Sequence, residues 1–155
     1  MFKINFCENK KRNLKKFKYY YGPKQLNNSI KNSNCLINLL PNTSSTSQII
    51  NLQLLKLLNT EAYFINIGRG NTVNESDLIY SLEKKIINGA ILDVFNKEPL
   101  NKNNKLYNIS NVFISPHIAG ITKPTDYAVN TLIRNIQSLN TNNKIKNKIS
   151  IKKEY

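Results

Sequence analysis

Arg69, Glu98 and His117 are the residues whose types and settings suit proton transfer on a small carboxylate-bearing molecule. Arg69 stands between Gly68 and Gly70, directly after the apolar run Phe64-Ile65-Asn66-Ile67. Its planar fork matches a carboxylate bidentately, and the flanking glycines leave room for a ligand to approach the backbone. Pairing with a neighbouring acid is the plainer role for such an arginine. His117 is the single histidine of the chain, set in Ser115-Pro116-His117-Ile118-Ala119-Gly120. An imidazole exchanges protons near neutral pH. Glu98 precedes Pro99 in Asp93-Val94-Phe95-Asn96-Lys97-Glu98-Pro99-Leu100; a carboxylate on the far ring nitrogen would fix the tautomer and favour the imidazolium. A lone histidine is more often structural, but this one lies at a strand end beside proline and glycine.

Such residues need a scaffold, and short apolar runs alternate with amphipathic ones nearly throughout. Residues 2–6 read as a strand, followed by the basic loop 8–12 and an edge strand at 17–21. Residues 23–31 suit a short helix with Pro23 in its first turn, and 35–40 a buried strand stopped by Pro41. Between 47 and 58, Ile50, Leu54, Leu57 and Leu58 fall at helical spacing. Residues 62–66 form another strand. Residues 74–87 form a helix with an acidic first turn (Glu75, Asp77) and Lys84-Lys85 near its end, as the helix dipole favours; Gly89 stands where a C-terminal cap is expected. Strands at 90–93 and 112–115 and a helix over 124–139 complete the pattern, with no internal repeat. The alternation predicts an α/β fold, a parallel Rossmann-like sheet with helices on both faces. Ligands on such sheets bind beyond the carboxyl ends of the strands, where Pro41, Arg69, Asp93 with Glu98, and His117 fall.

Length and composition narrow the classes. A chain of 155 residues can bury one sizeable core. The net charge of +14 would suit nucleic acid or an anionic membrane. It rides on lysine and asparagine in polar stretches such as Asn101-Lys102-Asn103-Asn104-Lys105, and arginine occurs only at 12, 69 and 134. Readers of nucleic acid lean on arginine forks, and Tyr19-Tyr20-Tyr21 beside lysines reads as an edge strand, so no nucleic-acid partner is expected. Cys7 and Cys35, both in apolar runs, read as buried free thiols of a reducing cytoplasm. One histidine is too few for a His/Cys metal cluster. No apolar run approaches the roughly 18 residues of a membrane span, and the N-terminus turns polar too soon for a signal peptide. The expectation is a soluble cytoplasmic protein with no membrane partner.

Taken together, Leu39-Leu40-Pro41-Asn42-Thr43, Asn66-Ile67-Gly68-Arg69-Gly70, Leu92-Asp93-Val94-Phe95 with Glu98-Pro99, and Ser115-Pro116-His117-Ile118-Ala119-Gly120 resemble the D-isomer-specific 2-hydroxyacid dehydrogenase family. Order and spacing agree, with 24 residues from Arg69 to Asp93 and five from Asp93 to Glu98. Residues 35–122 look most like the glyoxylate/hydroxypyruvate reductase A branch. The resemblance implies that Arg69 binds the substrate carboxylate and polarises its carbonyl. It makes His117 the general acid for keto-acid reduction, held and charged by Glu98. It implies that Asp93 bonds the nicotinamide carboxamide and that Leu40, Pro41, Ile67, Gly68, Ala119 and Gly120 line the cofactor cleft. The cofactor supplies the hydride; the protein supplies position and electrostatics. The resemblance also implies a homodimer for the intact protein.

Two departures accompany the resemblance. The family's G-x-G-x-x-G loop, which cradles the pyrophosphate at a helix N-terminus, belongs before residues 2–6, on a strand between 2–6 and 35–40. The chain is therefore expected to lack that first strand and loop. Residues 1–122 then read as a partial NAD(P)-binding domain and 123–155 as a C-terminal helix and basic tail. The second departure is the loop after 2–6, where cations favour the 2′-phosphate of NADP and an acid favours NAD. Glu8 stands against Lys10, Lys11 and Arg12, which leans to NADP. The expected function is an oxidoreductase fragment that reduces a small 2-keto acid, glyoxylate or hydroxypyruvate, with NAD(P)H. A non-catalytic remnant and one half of a split dehydrogenase with a separate N-terminal half are the alternatives; a basic nucleic-acid module is less favoured.

Overall fold

Alternate residues of four short apolar runs line up across one parallel sheet, β3 (Cys35–Asn38), β4 (Tyr63–Asn66), β5 (Gly89–Leu92) and β6 (Val112–Ile114), in the order β3-β4-β5-β6. The computed structural model describes residues 3–8, 17–120 and 126–140. It divides into two compact units, Met1–His117 and Ile118–Tyr155. Helices flank the sheet, the Rossmann-like arrangement that the alternation predicts.

Within the first unit, Phe64, Ala90 and Leu92 point from the sheet into a core shared with Leu54, Leu55 and Leu58 and with Leu78 and Leu82. Each fully buried side chain of this size contributes about 1.5–3 kcal/mol of transfer free energy. The alternate residues form a row across the opposite face, Ile37, Ile65, Ile91 and Phe113, in register from strand to strand. Ile37, Ile91 and Phe113 are 54%, 39% and 63% exposed.

The helix expected over 47–58 is one turn, α2 (Leu52–Leu55). The apolar spacing there serves burial without a helix, because Ile50 makes a parallel bridge to Val73 instead. Asn51 caps the turn by accepting from the Leu54 amide, and Asp77 Oδ2 accepts from the Leu52 amide. The next helix, α3 (Glu75–Glu83), starts as expected on an acidic first turn, with Asn74 accepting from the Asp77 amide. It ends sooner than expected. Lys85, at φ +53°, takes the left-handed position assigned to Gly89. Gly89 instead opens β5, where a Cβ would come within 2.6 Å of the Asn111 carbonyl oxygen; tight strand packing is what requires glycine there.

The strand expected at 2–6 runs later, as β1 (Asn5–Glu8), with residue 2 outside the described residues. It pairs in parallel with β2 (Lys18–Tyr21) in a separate two-stranded sheet. A 3-10 turn at Pro23–Gln25 leads into α1 (Leu26–Ile30), which buries Ile30 in the main core and takes the Asn5 amide on the Ser29 carbonyl at 2.8 Å. Among the described residues no ladder joins β1 to β3. That is the place where the resemblance puts the strand bearing the glycine loop. The edge position of β3 among the described residues also corrects two expectations: β3 is largely not buried, and Cys35 is exposed, while Cys7 is half-buried; both thiols are free.

In the second unit, α4 (Asp126–Asn140) carries Val129, Leu132, Ile133, Ile136 and Leu139 at helical spacing, all exposed. Pro124 and the tail 141–155 lie outside the described residues. No helix among the described residues is long and apolar enough to cross a membrane.

Candidate active site

Arg69 follows β4, Asp93 follows β5, and Ser115 and His117 follow β6, so the carboxyl ends of three neighbouring parallel strands carry them. Glu98 sits in the turn beyond Asp93. Its Oε2 lies 2.7 Å from His117 Nδ1, and its Oε1 accepts from the Phe95 amide at 2.9 Å. The hydrogen bond from His117, then that from Phe95, hold the Glu98 carboxyl below the usual carboxylate range; partial desolvation, and more weakly the Asp93 charge, work against them. An ionised Glu98 can only accept, so Nδ1 carries the shared hydrogen. The imidazole is 47% exposed and open to solute. His117 adopts φ +54°, a left-handed conformation uncommon for a residue with a Cβ.

Arg69 is exposed, its Nη1 donating to the Gly68 carbonyl at 2.7 Å, and among the described residues no carboxylate pairs with it. The glycines beside it make room for neighbouring backbone. A Cβ on Gly68 would lie 2.9 Å from the Leu40 carbonyl oxygen, and one on Gly70 would lie 2.0 Å from the Phe95 carbonyl. Gly70 thus lets the Arg69 loop lean on the segment whose amide holds Glu98. The structure joins Glu98 and His117 directly and brings the Arg69 loop to them through Phe95.

Asp93 is 2% exposed; its Oδ1 accepts from Ser115 Oγ at 2.5 Å and its amide donates to the Asn66 carbonyl. A carboxylate acceptor at a strand end is what a carboxamide N–H requires. Ile67, 39% exposed, adds an apolar surface, with Leu40 half-buried and Pro41 exposed beyond β3. These groups fit the nicotinamide end of a dinucleotide. Ala119 and Gly120 are exposed residues of the second unit. Lys10 and Lys11, the expected readers of a 2′-phosphate, lie outside the described residues.

Sequence reasoning missed Ser115 and the buried polar residues Asn38, Asn66 and Thr72 behind the Arg69 loop. One signal was available: asparagine ends two otherwise apolar strands.

Residues 2–119 match the family model for the D-isomer specific 2-hydroxyacid dehydrogenase NAD-binding domain. A glyoxylate/hydroxypyruvate reductase A from Citrobacter koseri is 42% identical over 120 residues, which make up 77% of this chain and 38% of that protein. Among solved structures, a D-isomer specific 2-hydroxyacid dehydrogenase from Xanthobacter autotrophicus Py2, in complex with NADPH and MES, superposes with a TM-score of 0.94 at 29% identity. The alignment covers 99% of this chain and 63% of that one. An NADPH-dependent glyoxylate/hydroxypyruvate reductase from Sinorhizobium meliloti, with NADP and sulfate, gives 0.90 at 26% identity, over 99% of this chain and 50% of that one. The chain therefore spans between about two-fifths and two-thirds of the length of these relatives.

Proposed function

The chain belongs to the D-isomer specific 2-hydroxyacid dehydrogenase family, and on that premise we propose that it carries the acid–base and carboxylate-binding part of an NAD(P)H-dependent reductase of small 2-keto acids, with glyoxylate and hydroxypyruvate as substrates. The observation that supports this most is the His117–Glu98 pair at 2.7 Å, open to solute beside the Arg69 loop. Arg69 binds the substrate carboxylate through its fork and draws charge from the adjacent carbonyl. With Nδ1 engaged by Glu98, the Nε2 proton of His117 passes to the carbonyl oxygen as it becomes a hydroxyl. Glu98 holds the ring in orientation and stabilises the imidazolium that precedes transfer. A bound dihydronicotinamide supplies the hydride. Asp93, oriented by Ser115, would hold the carboxamide N–H, and Leu40, Pro41, Ile67 and Gly68 would line the cleft. Lys10 and Lys11 favour the 2′-phosphate, so NADPH is preferred over NADH.

The pyrophosphate loop comes from a further segment, whichever polypeptide carries it, entering beside β1 and β3. The relatives' names support the substrate class: two are glyoxylate/hydroxypyruvate reductases. The test is to fuse or co-express the chain with a segment bearing that loop and follow glyoxylate-dependent oxidation of NADPH and NADH. Turnover with NADPH in excess is expected. Absence of turnover with either, in an assembly that binds NADPH, overturns the activity. The chain alone should bind NADPH only weakly; micromolar affinity without the added segment would show that the pyrophosphate loop is dispensable.

A further inference from the structure

Asn38 and Asn66 are register partners at the last positions of β3 and β4, 3% and 1% exposed, with Thr72 beside them at 0%. Buried polar side chains at strand positions that would take valine or leucine need a reason, because an imperfectly satisfied group there is costly. These three are satisfied in a chain of fixed direction. Asn38 Nδ2 has two hydrogens and two acceptors, Asn66 Oδ1 at 2.8 Å and Thr72 Oγ1 at 2.7 Å. The one Thr72 hydroxyl hydrogen goes on to the Arg69 carbonyl at 2.6 Å. Asn66 Oδ1 also accepts from the Gly68 amide at 3.2 Å, and Asn38 Oδ1 from the Leu40 amide at 3.2 Å. Reversing the Asn38 amide would set oxygen against oxygen, so the polarity is determined by the network itself.

We infer that Asn38, Asn66 and Thr72 are positioning residues for Arg69, a buried hydrogen-bond relay that fixes the main chain on both sides of the guanidinium and ties it to the Leu40 loop. The relay clamps the Gly68 amide before Arg69 and the Arg69 carbonyl after it. The glycines at 68 and 70 leave that main chain without side-chain anchors of its own. A donor at Asn38 therefore orients two loops together, one beside the cofactor cleft and one carrying the carboxylate fork. The functional part of this assignment rests on the carboxylate-binding role proposed for Arg69.

The test uses the 155-residue chain, isotopically labelled, with Asn38→Asp, Thr72→Val and Thr72→Ser. In Asn38→Asp the carboxylate faces Asn66 Oδ1, so Asn66 turns its amide over and the Gly68 amide loses its acceptor. Gly68 exchange should then quicken about tenfold, the scale of one lost buried hydrogen bond, while the Ala90 amide in β5 keeps the parent rate. Thr72→Val should shift the Arg69 carbonyl ¹³C resonance, and Thr72→Ser, which keeps the hydroxyl, should hold it at the parent value. Parental Gly68 exchange in Asn38→Asp, equal quickening at Ala90, or a Thr72→Ser shift as large as that of Thr72→Val overturns the relay. In the assembled enzyme, Thr72→Val should raise the glyoxylate KM with Thr72→Ser near parental. Turnover by the assembled parent tests the proposed activity alone, and the carbonyl resonance does not depend on it.

Discussion

His117 Nδ1 and Glu98 Oε2 are 2.7 Å apart across 19 residues of sequence, and the second Glu98 oxygen is anchored to the Phe95 amide. The carboxylate is thus held from both sides, and the ring is oriented by a group that is itself fixed.

Glu98 should titrate below an ordinary glutamate, and His117→Ala should move its midpoint upward while the Phe95 bond remains. The sign follows from the lowered carboxyl: the pair stabilises the fold above the unfolded-state pKa of glutamate and is lost as pH falls through the depressed folded-state value. NMR titration of the Glu98 side-chain carbonyl in parent and variant measures this. Coincident midpoints would show that the imidazole does not hold the carboxylate.

In the assembled enzyme, His117→Ala should lower keto-acid turnover about 10²–10⁴-fold, the usual worth of a general acid. Arg69→Lys should also impair it, because a point ammonium cannot reproduce the fork. Steady-state kinetics with glyoxylate decides. Parental kcat/KM in Arg69→Lys would remove Arg69 from substrate binding.

Gly70→Ala should destabilise the chain by about 1–3 kcal/mol or more, because its Cβ would meet the Phe95 carbonyl at 2.0 Å and backbone cannot swing aside. Gly120→Ala, with nothing within 4 Å of its Cβ, should stay within about 0.5 kcal/mol of the parent. Thermal unfolding of the two variants, side by side, checks both.

Ser115→Ala removes the hydroxyl from Asp93 Oδ1 and should cost about 1–3 kcal/mol. The same change should weaken NADPH binding in the assembled enzyme, read by fluorescence titration. Unchanged affinity would separate Asp93 from the nicotinamide.

The position of residues 69, 93 and 117 after strands was legible from the apolar runs before them, and an α/β sheet puts its ligands at such ends. Helix lengths were not. The 47–58 run has helical spacing, but the pairing of Ile50 with Val73 depends on a residue 23 positions away. Gly89 was read as a cap because strand crowding against Asn111 has no local signature. Cys35 was read as buried because an apolar run does not disclose that its strand lies at the sheet edge among the described residues. The Asn38–Asn66–Thr72 relay stayed hidden for the same kind of reason: its partners are 28 and 34 residues apart.

The row Ile37–Ile65–Ile91–Phe113 should govern how this strongly cationic chain responds to salt. At low ionic strength the net charge of +14 keeps molecules apart. At 0.1 M salt the repulsion reaches only about 10 Å, and apolar contact between sheet faces is no longer opposed at a distance. Solubility should therefore fall as salt rises, the reverse of what a purely charge-driven association would give.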